Sequence, residues 1–372
     1  MHCPFSDAGE VVCSLSSNPI AVNLSYEERP LAHPELEEAL QLIEEACTKE
    51  QISALLRRYR ESDEVKISSS TKKSLVEQNL RIALEATAIP MQEAFNLIRD
   101  SEENGGQHIW LFRPKLGLAK LFDADDVAGR LWGPKWQETV SKYPSLELKP
   151  NSYVISDFRR ISSKPKDWLL KIYGHATVVT ATGNMDPREN GLFWREFRTV
   201  PIRSVIVIRW NSPDILEIRV QKDDASRRRV DSGLKVAWNF LRPAFLPEQF
   251  RPWALTKTLT AMVKEYPKHN DLYDFRDAKV LTAHGTMLQT YEPVSDQGSL
   301  LEDKDITEEL NRKLANGDQI RGLAVTWLAE KTSLSSQLRV MVAAKNDNEV
   351  YIPSKCTPKD LDHVTDQLRR FS

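Results

Sequence analysis

Asp214, Glu217 and Arg219 stand three and two residues apart in Asn211-Ser-Pro-Asp-Ile-Leu-Glu-Ile-Arg219. Metal-dependent nucleases place an acidic pair and a lysine on a strand hairpin, where carboxylates hold Mg²⁺ and the cation steadies the attacking water. Here the third group is an arginine, which does not give up a proton. Asp186 is the further acid that could join the pair in space. The competing reading is a cross-strand ion pair on the wet face of a sheet. A second pattern, Gln319-Ile-Arg-Gly-Leu-Ala324, matches the Q-x-x-G-x-A with which acyl-CoA-dependent acetyltransferases hold a pyrophosphate between a strand and a helix start. The element before it reads as helical, which that use does not allow. A third, Asp362-His363, is an acid beside a histidine with no nucleophile or metal ligand indicated nearby.

Other chemistries have no sequence motif to mark them, although side chains distant in sequence can still converge on a site. No G-x-x-x-x-G-K-[ST] or G-x-G-x-x-G occurs, and the chain has only 14 glycines for close backbone approach to a nucleotide. Neither G-x-S-x-G nor H-E-x-x-H occurs. The histidines, at 2, 33, 108, 175, 269, 284 and 363, show no paired ligand spacing. The cysteines, at 3, 13, 47 and 356, fit neither a disulfide framework nor a zinc site. No cofactor and no metal are expected.

What remains is charge. Residues 1–107 carry 10 Lys and Arg against 19 Asp and Glu, whereas residues 108–260 carry 26 against 16. Residues 261–372 carry 15 against 18. A basic middle between acidic flanks implies an anionic partner, or flanks that dock on the middle. The stretch Phe158–Tyr173 combines Arg159, Arg160, Lys164, Lys166 and Lys171 with Phe158, Trp168 and Tyr173. Cations neutralise phosphates and rings stack on bases. Trp168 alternates with Leu170 and Ile172, which assigns it to the core instead. Lys222 and the run Arg227-Arg228-Arg229 form the second basic group, at a helix start where the dipole disfavours cations. Asp223, Asp224 and Asp231 would relieve that locally, and so would a bound anion. Lys72, Lys73 and Ser74 make a smaller group of the same kind.

The elements that must position these residues follow from periodicity. Residues 1–33 have no period and read as a loose arm. Residues 34–107 read as an acidic four-helix bundle. Leu36, Ala39, Leu40, Ile43 and Cys47 form the first apolar stripe, and Ile52, Leu55, Leu56 and Tyr59 the second. Thr48 to Gln51 is a capping box. Ser68 to Thr71 offer caps to a third helix, and Pro90 starts a fourth. Helices followed by the strand His108–Arg113 would suit a winged-helix module, with the strand in the wing, and would equally suit any small bundle packed on a sheet.

Residues 108–266 read as a basic α+β domain. A helix over 125–142 is followed by period-two strands at 168–174, 176–181 and 193–200, with Gly183–Gly191 as a hairpin loop. The clearest hairpin is Ser204–Gln221, turning at Asn211–Asp214. A helix then ends at Pro243, and another runs to about 264. Residues 267–372 read as a smaller α+β unit. It has a strand over 278–291, a helix over 304–316, a hairpin over 338–354 and a last helix capped by Thr357. Hairpin-then-helix occurs at 204–242 and again at 338–371, as an internal duplication would produce.

The expected fold class is α+β: a bundle, a central mainly antiparallel sheet with packed helices, and a C-terminal α+β unit. The expected function is a non-enzymatic binding subunit contacting nucleic acid through the basic middle. The alternatives are a protein-binding scaffold subunit and a nuclease-like enzyme using Asp186, Asp214 and Glu217. No run of apolar residues approaches a membrane span. The first residues make a poor secretory signal, so the cytoplasm, or the nucleus of a eukaryotic cell, is expected.

Overall fold

The computed structural model describes residues 33–62, 71–115, 122–140, 152–187, 193–221, 227–285, 288–291, 299–329, 334–343 and 346–372, with single positions 65, 67, 117 and 332. Residues 1–32, expected as a loose arm, lie outside them. No helix among the described residues is long and apolar enough to cross a membrane.

The bundle comprises α1 (His33–Ala46), α2 (Lys49–Arg58), a helical rod of α3 (Lys72–Ser74), a π-helical stretch (Leu75–Leu80) and α4 (Arg81–Glu85), and α5 (Met91–Glu103). Thr48 accepts from the Gln51 amide while the Gln51 side chain accepts from the Thr48 amide, so the capping box forms as expected. Thr71 is the residue that caps α3. The stripes converge on a core of their own, including Leu40, Ile43, Ile52, Leu56, Leu80 and Ile98.

Beyond the bundle runs one sheet. Its strands are β1 (Gly105–Pro114), β2 (Val154–Ile161), β3 (Lys164–Pro187), β4 (Phe193–Asn211), β5 (Ile215–Gln221), β6 (Phe250–Pro252), β7 (Tyr273–Leu281), β8 (Leu288–Tyr291), β9 (Gln319–Trp327), β10 (Leu338–Val342) and β11 (Glu349–Lys355). The order is β2-β3-β4-β5-β1-β11-β10-β9-β7-β8, and β6 pairs with the end of β1. Every pairing is antiparallel. The sheet therefore runs unbroken from the basic middle into the C-terminal unit. Of the two readings of the strand His108–Arg113, the wing does not hold: β1 is the central strand of the sheet, hydrogen-bonded on both edges.

The order reads almost the same from either end. Four strands, β2 to β5, meander up to one edge of β1, and β7, β9, β10 and β11 meander up to the other. The first meander is preceded by α6 (Ala124–Trp132) and α7 (Trp136–Val140) and followed by α8 (Arg227–Leu241). The second is preceded by α9 (Thr256–His269) and followed by α11 (Pro358–Arg370), with β8 and α10 (Lys304–Ala315) inserted between its first two strands. Both β5 and β11 run antiparallel to β1, and the two sets of helices cover opposite faces. Trp110 of β1 joins the core under α6 and α8, whereas Ile109 and Leu111 join the core under α9 and α11. A two-fold rotation about β1 preserves strand direction and exchanges faces, so it relates the two meanders. The repeated hairpin-then-helix is the last part of each.

Several local expectations give way to longer-range packing. The helix expected over 125–142 breaks at Gly133, which takes a φ of 79°. The segment 278–291 is not one strand but β7 and β8, separated by a turn at Thr282–Gly285. The expected loop Gly183–Gly191 opens as strand, since β3 continues to Pro187, and residues 188–191 lie outside the described residues. At α11, the Thr357 hydroxyl accepts from the Asp360 amide and the Asp360 carboxylate accepts from the Thr357 amide. Thr357→Ala is expected to cost about 1 kcal/mol, read as a lowered urea midpoint with an unchanged slope.

Candidate functional site

Strand alternation places one complete row of side chains across the face of the sheet that carries α9 and α11. It runs Asp157, Lys171, Val207, Arg219, Ile109, Val350, Val342, Leu323, Ala278. The second meander's half is apolar and lies in its helical core. The first meander's half is mixed: a small apolar patch of Leu169, Tyr173, Val205 and Val207 lies among buried charged residues, and most of the candidate residues gather there.

One cluster joins this half to the C-terminal end of α5. Glu102 and Glu103 are 1% and 4% exposed. Lys171 Nζ lies 2.5 Å from Glu102, and Arg203 Nε donates to Glu102 at 2.6 Å. Arg203 also lies over the Tyr173 ring, 4.0 Å from its centre. Arg159 bridges Glu103, at 2.5 Å, and Asp157. Burial alone would raise both glutamates, but Lys171 and Arg203 outweigh it at Glu102, and Arg159 and Lys171 at Glu103, so both carboxyls sit below the usual range. The turn from α5 into β1 passes through Gly105 at φ 79°, where a Cβ would lie 2.1 Å from the Ser354 carbonyl oxygen. Only glycine fits that crossing.

The second cluster lies under α11. Glu217 Oε2 accepts from Arg219 at 2.9 and 2.5 Å, and Oε1 accepts from Asn211 at 3.1 Å and Thr365 at 3.3 Å. Desolvation pushes this carboxyl up, but Arg219, Arg209 and the Asn211 bond outweigh it and hold it at about 2. Arg209 donates to Asp362 at 2.5 Å and to Asp167 at 3.2 Å. Asp214 lies in the hairpin turn between Arg113 and Arg369, each at 3.4 Å. His363 packs edge-on against the Trp327 ring, and burial lowers its pKa.

This geometry does not assemble the nuclease trio. Glu217 is 1% exposed and both its oxygens are occupied by donors. Asp186 pairs in register with Trp194 and Glu217 with Arg209, so some fifteen residues of β4 separate them, roughly 50 Å at strand rise. The side chain of Asp186 lies outside the described residues. No group of three or more potential metal ligands forms among the described residues. The Gln319–Ala324 pattern is strand throughout and the strand continues to Trp327, so no helix starts at its end to receive a pyrophosphate among the described residues. Asp362 and His363 point to different partners and make no joint site.

The basic candidates disperse. Arg159 and Lys171 belong to the α5 cluster. Arg160 pairs with Asp125 at 2.7 Å, and Lys164 with Asp362 at 3.3 Å. Lys166 is exposed and makes no ion pair among the described residues. Lys222 lies outside the described residues. Arg227, Arg228 and Arg229 form the first turn of α8, and their side chains also lie outside the described residues. Lys72 closes the end of α1 by donating to the Cys47 carbonyl at 2.9 Å.

One feature was not read from the sequence. β2 stops pairing with β3 at Tyr173, and β5 stops pairing with β4 at Ile206. Beyond those points β3 and β4 continue together as a two-stranded arm, still paired at Pro187 and Phe193. From Arg203 to Phe193 it extends about 33 Å. A bulge between Ala181 and Met185 is pinned by Glu196, which accepts from Thr182 and Asn184 at 2.8 Å each. These bonds hold the Glu196 carboxyl below its usual range. Phe197 is 60% exposed and Met185 54%. Arg195 and Arg198 are exposed and make no ion pair among the described residues. The sequence signal for it is the pair of period-two strands, 176–181 and 193–200, which continue the strands 168–174 and 204–211 without a break. No protein-family model matches the chain, and no curated protein matches it significantly.

Proposed function

We propose that the protein is a non-enzymatic binding subunit and that the β3–β4 arm is its contact element, engaging other protein. The observation that carries this is the exposure of Phe197 and Met185 on a ribbon without a third strand on either edge among the described residues. An unpaired edge offers free backbone donors and acceptors to another chain, and large exposed apolar groups favour a protein partner. The buried clusters support the same reading, because their charges are spent on holding α5 and α11 to the sheet. To test it, residues 178–200 are deleted and Thr177 is joined to Pro201 through Asn-Gly, a two-residue hairpin turn. The shortened chain is expected to keep its melting temperature and lose the proteins that co-purify stoichiometrically with the full chain. An unchanged set of partners would count against the arm.

A second reading, contact with nucleic acid, is favoured by the exposure of Arg195 and Arg198, which flank Phe197 in sequence, and of Lys166 near the other end of β3. Arg198 pairs in register with Thr180, which places it roughly 45 Å along β3 from Lys166. Three such cations limit the slope of log K against log salt to about −2 on single strands. Fluorescence anisotropy with a labelled oligonucleotide measures that slope. A much steeper one would show that the Arg227–Arg229 group takes part and would restore nucleic acid as the leading partner.

A further inference from the structure

We infer that the arm's first partner is a second copy of this chain, joined by antiparallel pairing of β4 with β4 about a two-fold axis at Phe197. This rests on reading the arm as a protein-contact element and names the protein. The outer edge of β4 is free of strand partners from Val205 to Phe193 among the described residues. Antiparallel self-pairing centred on Phe197 sets Glu196 of each copy directly against Arg198 of the other, twice, and sets Arg195 against Thr199. Opposite charges on facing positions stabilise a strand pair, and like charges destabilise it. The two Phe197 rings meet at the axis, which removes the most exposed large apolar group among the described residues from water. Residues 195–199 are all exposed in the single chain, so nothing of its own must move aside. Between Ala181 and Val200 the chain carries three arginines (188, 195, 198) and three acids (186, 189, 196), so net charge does not oppose bringing two arms together. The same balance gives a phosphate backbone little to attract it. Such a contact is isologous and closes at two copies.

Sedimentation velocity over a concentration series on the full chain tests this. The unmodified protein is expected to show a monomer–dimer equilibrium. Arg198→Glu sets Glu against Glu at both facing pairs and is expected to raise the dissociation constant about tenfold or more. Arg198→Lys keeps the sign of the charge and should retain the dimer. Arg198 makes no ion pair among the described residues, so both variants should match the parent in far-ultraviolet circular dichroism. A monomer at every concentration, or a dimer unaffected by Arg198→Glu, would overturn the inference. Arm-dependent capture of a different protein by a monomeric chain would overturn it too, while leaving the arm as the contact element.

Discussion

Glu217→Ala is expected to destabilise the fold by about 3–5 kcal/mol, read as a fall in the urea midpoint. The carboxylate is the shared counter-ion of two buried arginines, Arg219 at 2% and Arg209 at 4% exposed. Arg219 would keep only the Glu103 carbonyl as acceptor, at 3.3 Å. Leaving a buried cation uncompensated costs far more than the pair contributes over an apolar replacement of the same shape. The acid dependence follows from the same contacts. The folded carboxyl sits at about 2 against an ordinary 4.5. A depressed pKa contributes stability that is complete above the unfolded value and is lost as pH falls through the folded one. Stability should therefore decline from about pH 4.5 toward pH 2, and Glu217→Ala should flatten that part of the profile. A catalytic role predicts the opposite pattern, with stability nearly unchanged and activity lost. A midpoint within experimental error of the parent would remove the structural assignment.

The parts of this fold legible in the sequence are those fixed by near neighbours. The bundle's stripes, the Thr48 and Thr357 caps and the Ser204–Gln221 hairpin each depend on residues within a few positions of one another. β1 reads as a strand over His108–Arg113, but its central place does not, because its partners stand more than a hundred residues away in β5 and more than two hundred away in β11. Without it the two meanders look like separate units. The clusters were obscured for a related reason. Lys171 stands between Leu170 and Ile172, and Arg209, Glu217 and Arg219 alternate with apolar residues in the same way. That alternation is the mark of a wet face. Here the face is covered by α5 and α11, whose acids arrive from far along the chain. Residue type and spacing thus identified charged positions correctly but could not distinguish solvent from a distant carboxylate as their partner. The arm was hidden by Gly183 and Asn184, which read as a loop and instead form a bulge within a continuing strand.

The two acids at the end of α5 are not equivalent, and the difference is measurable. Glu102→Ala is expected to cost about 3–5 kcal/mol, and Glu103→Ala clearly less. Glu102 is the direct partner of Lys171 and Arg203, whose side chains are 6% and 7% exposed. Both cations are largely shielded from water, and among the described residues Lys171 would keep only Glu103 as an ion-pair partner, at 3.9 Å. Glu103 chiefly serves Arg159, which is 28% exposed and keeps Asp157. The loss should also be local in its first effect. The bundle core is made only of residues 36–98, so it can stay folded while its grip on the sheet weakens. The segment Asn104–Gly106 would then open ahead of either side. Limited proteolysis should cut there in Glu102→Ala at denaturant concentrations that leave the parent intact, and the amides of β1 should lose hydrogen-exchange protection before those of α2. If the two variants lost equal stability, or if the bundle and the sheet unfolded together, the bundle would not be held at Glu102. The charged residues of the first meander would then need another reason for their burial.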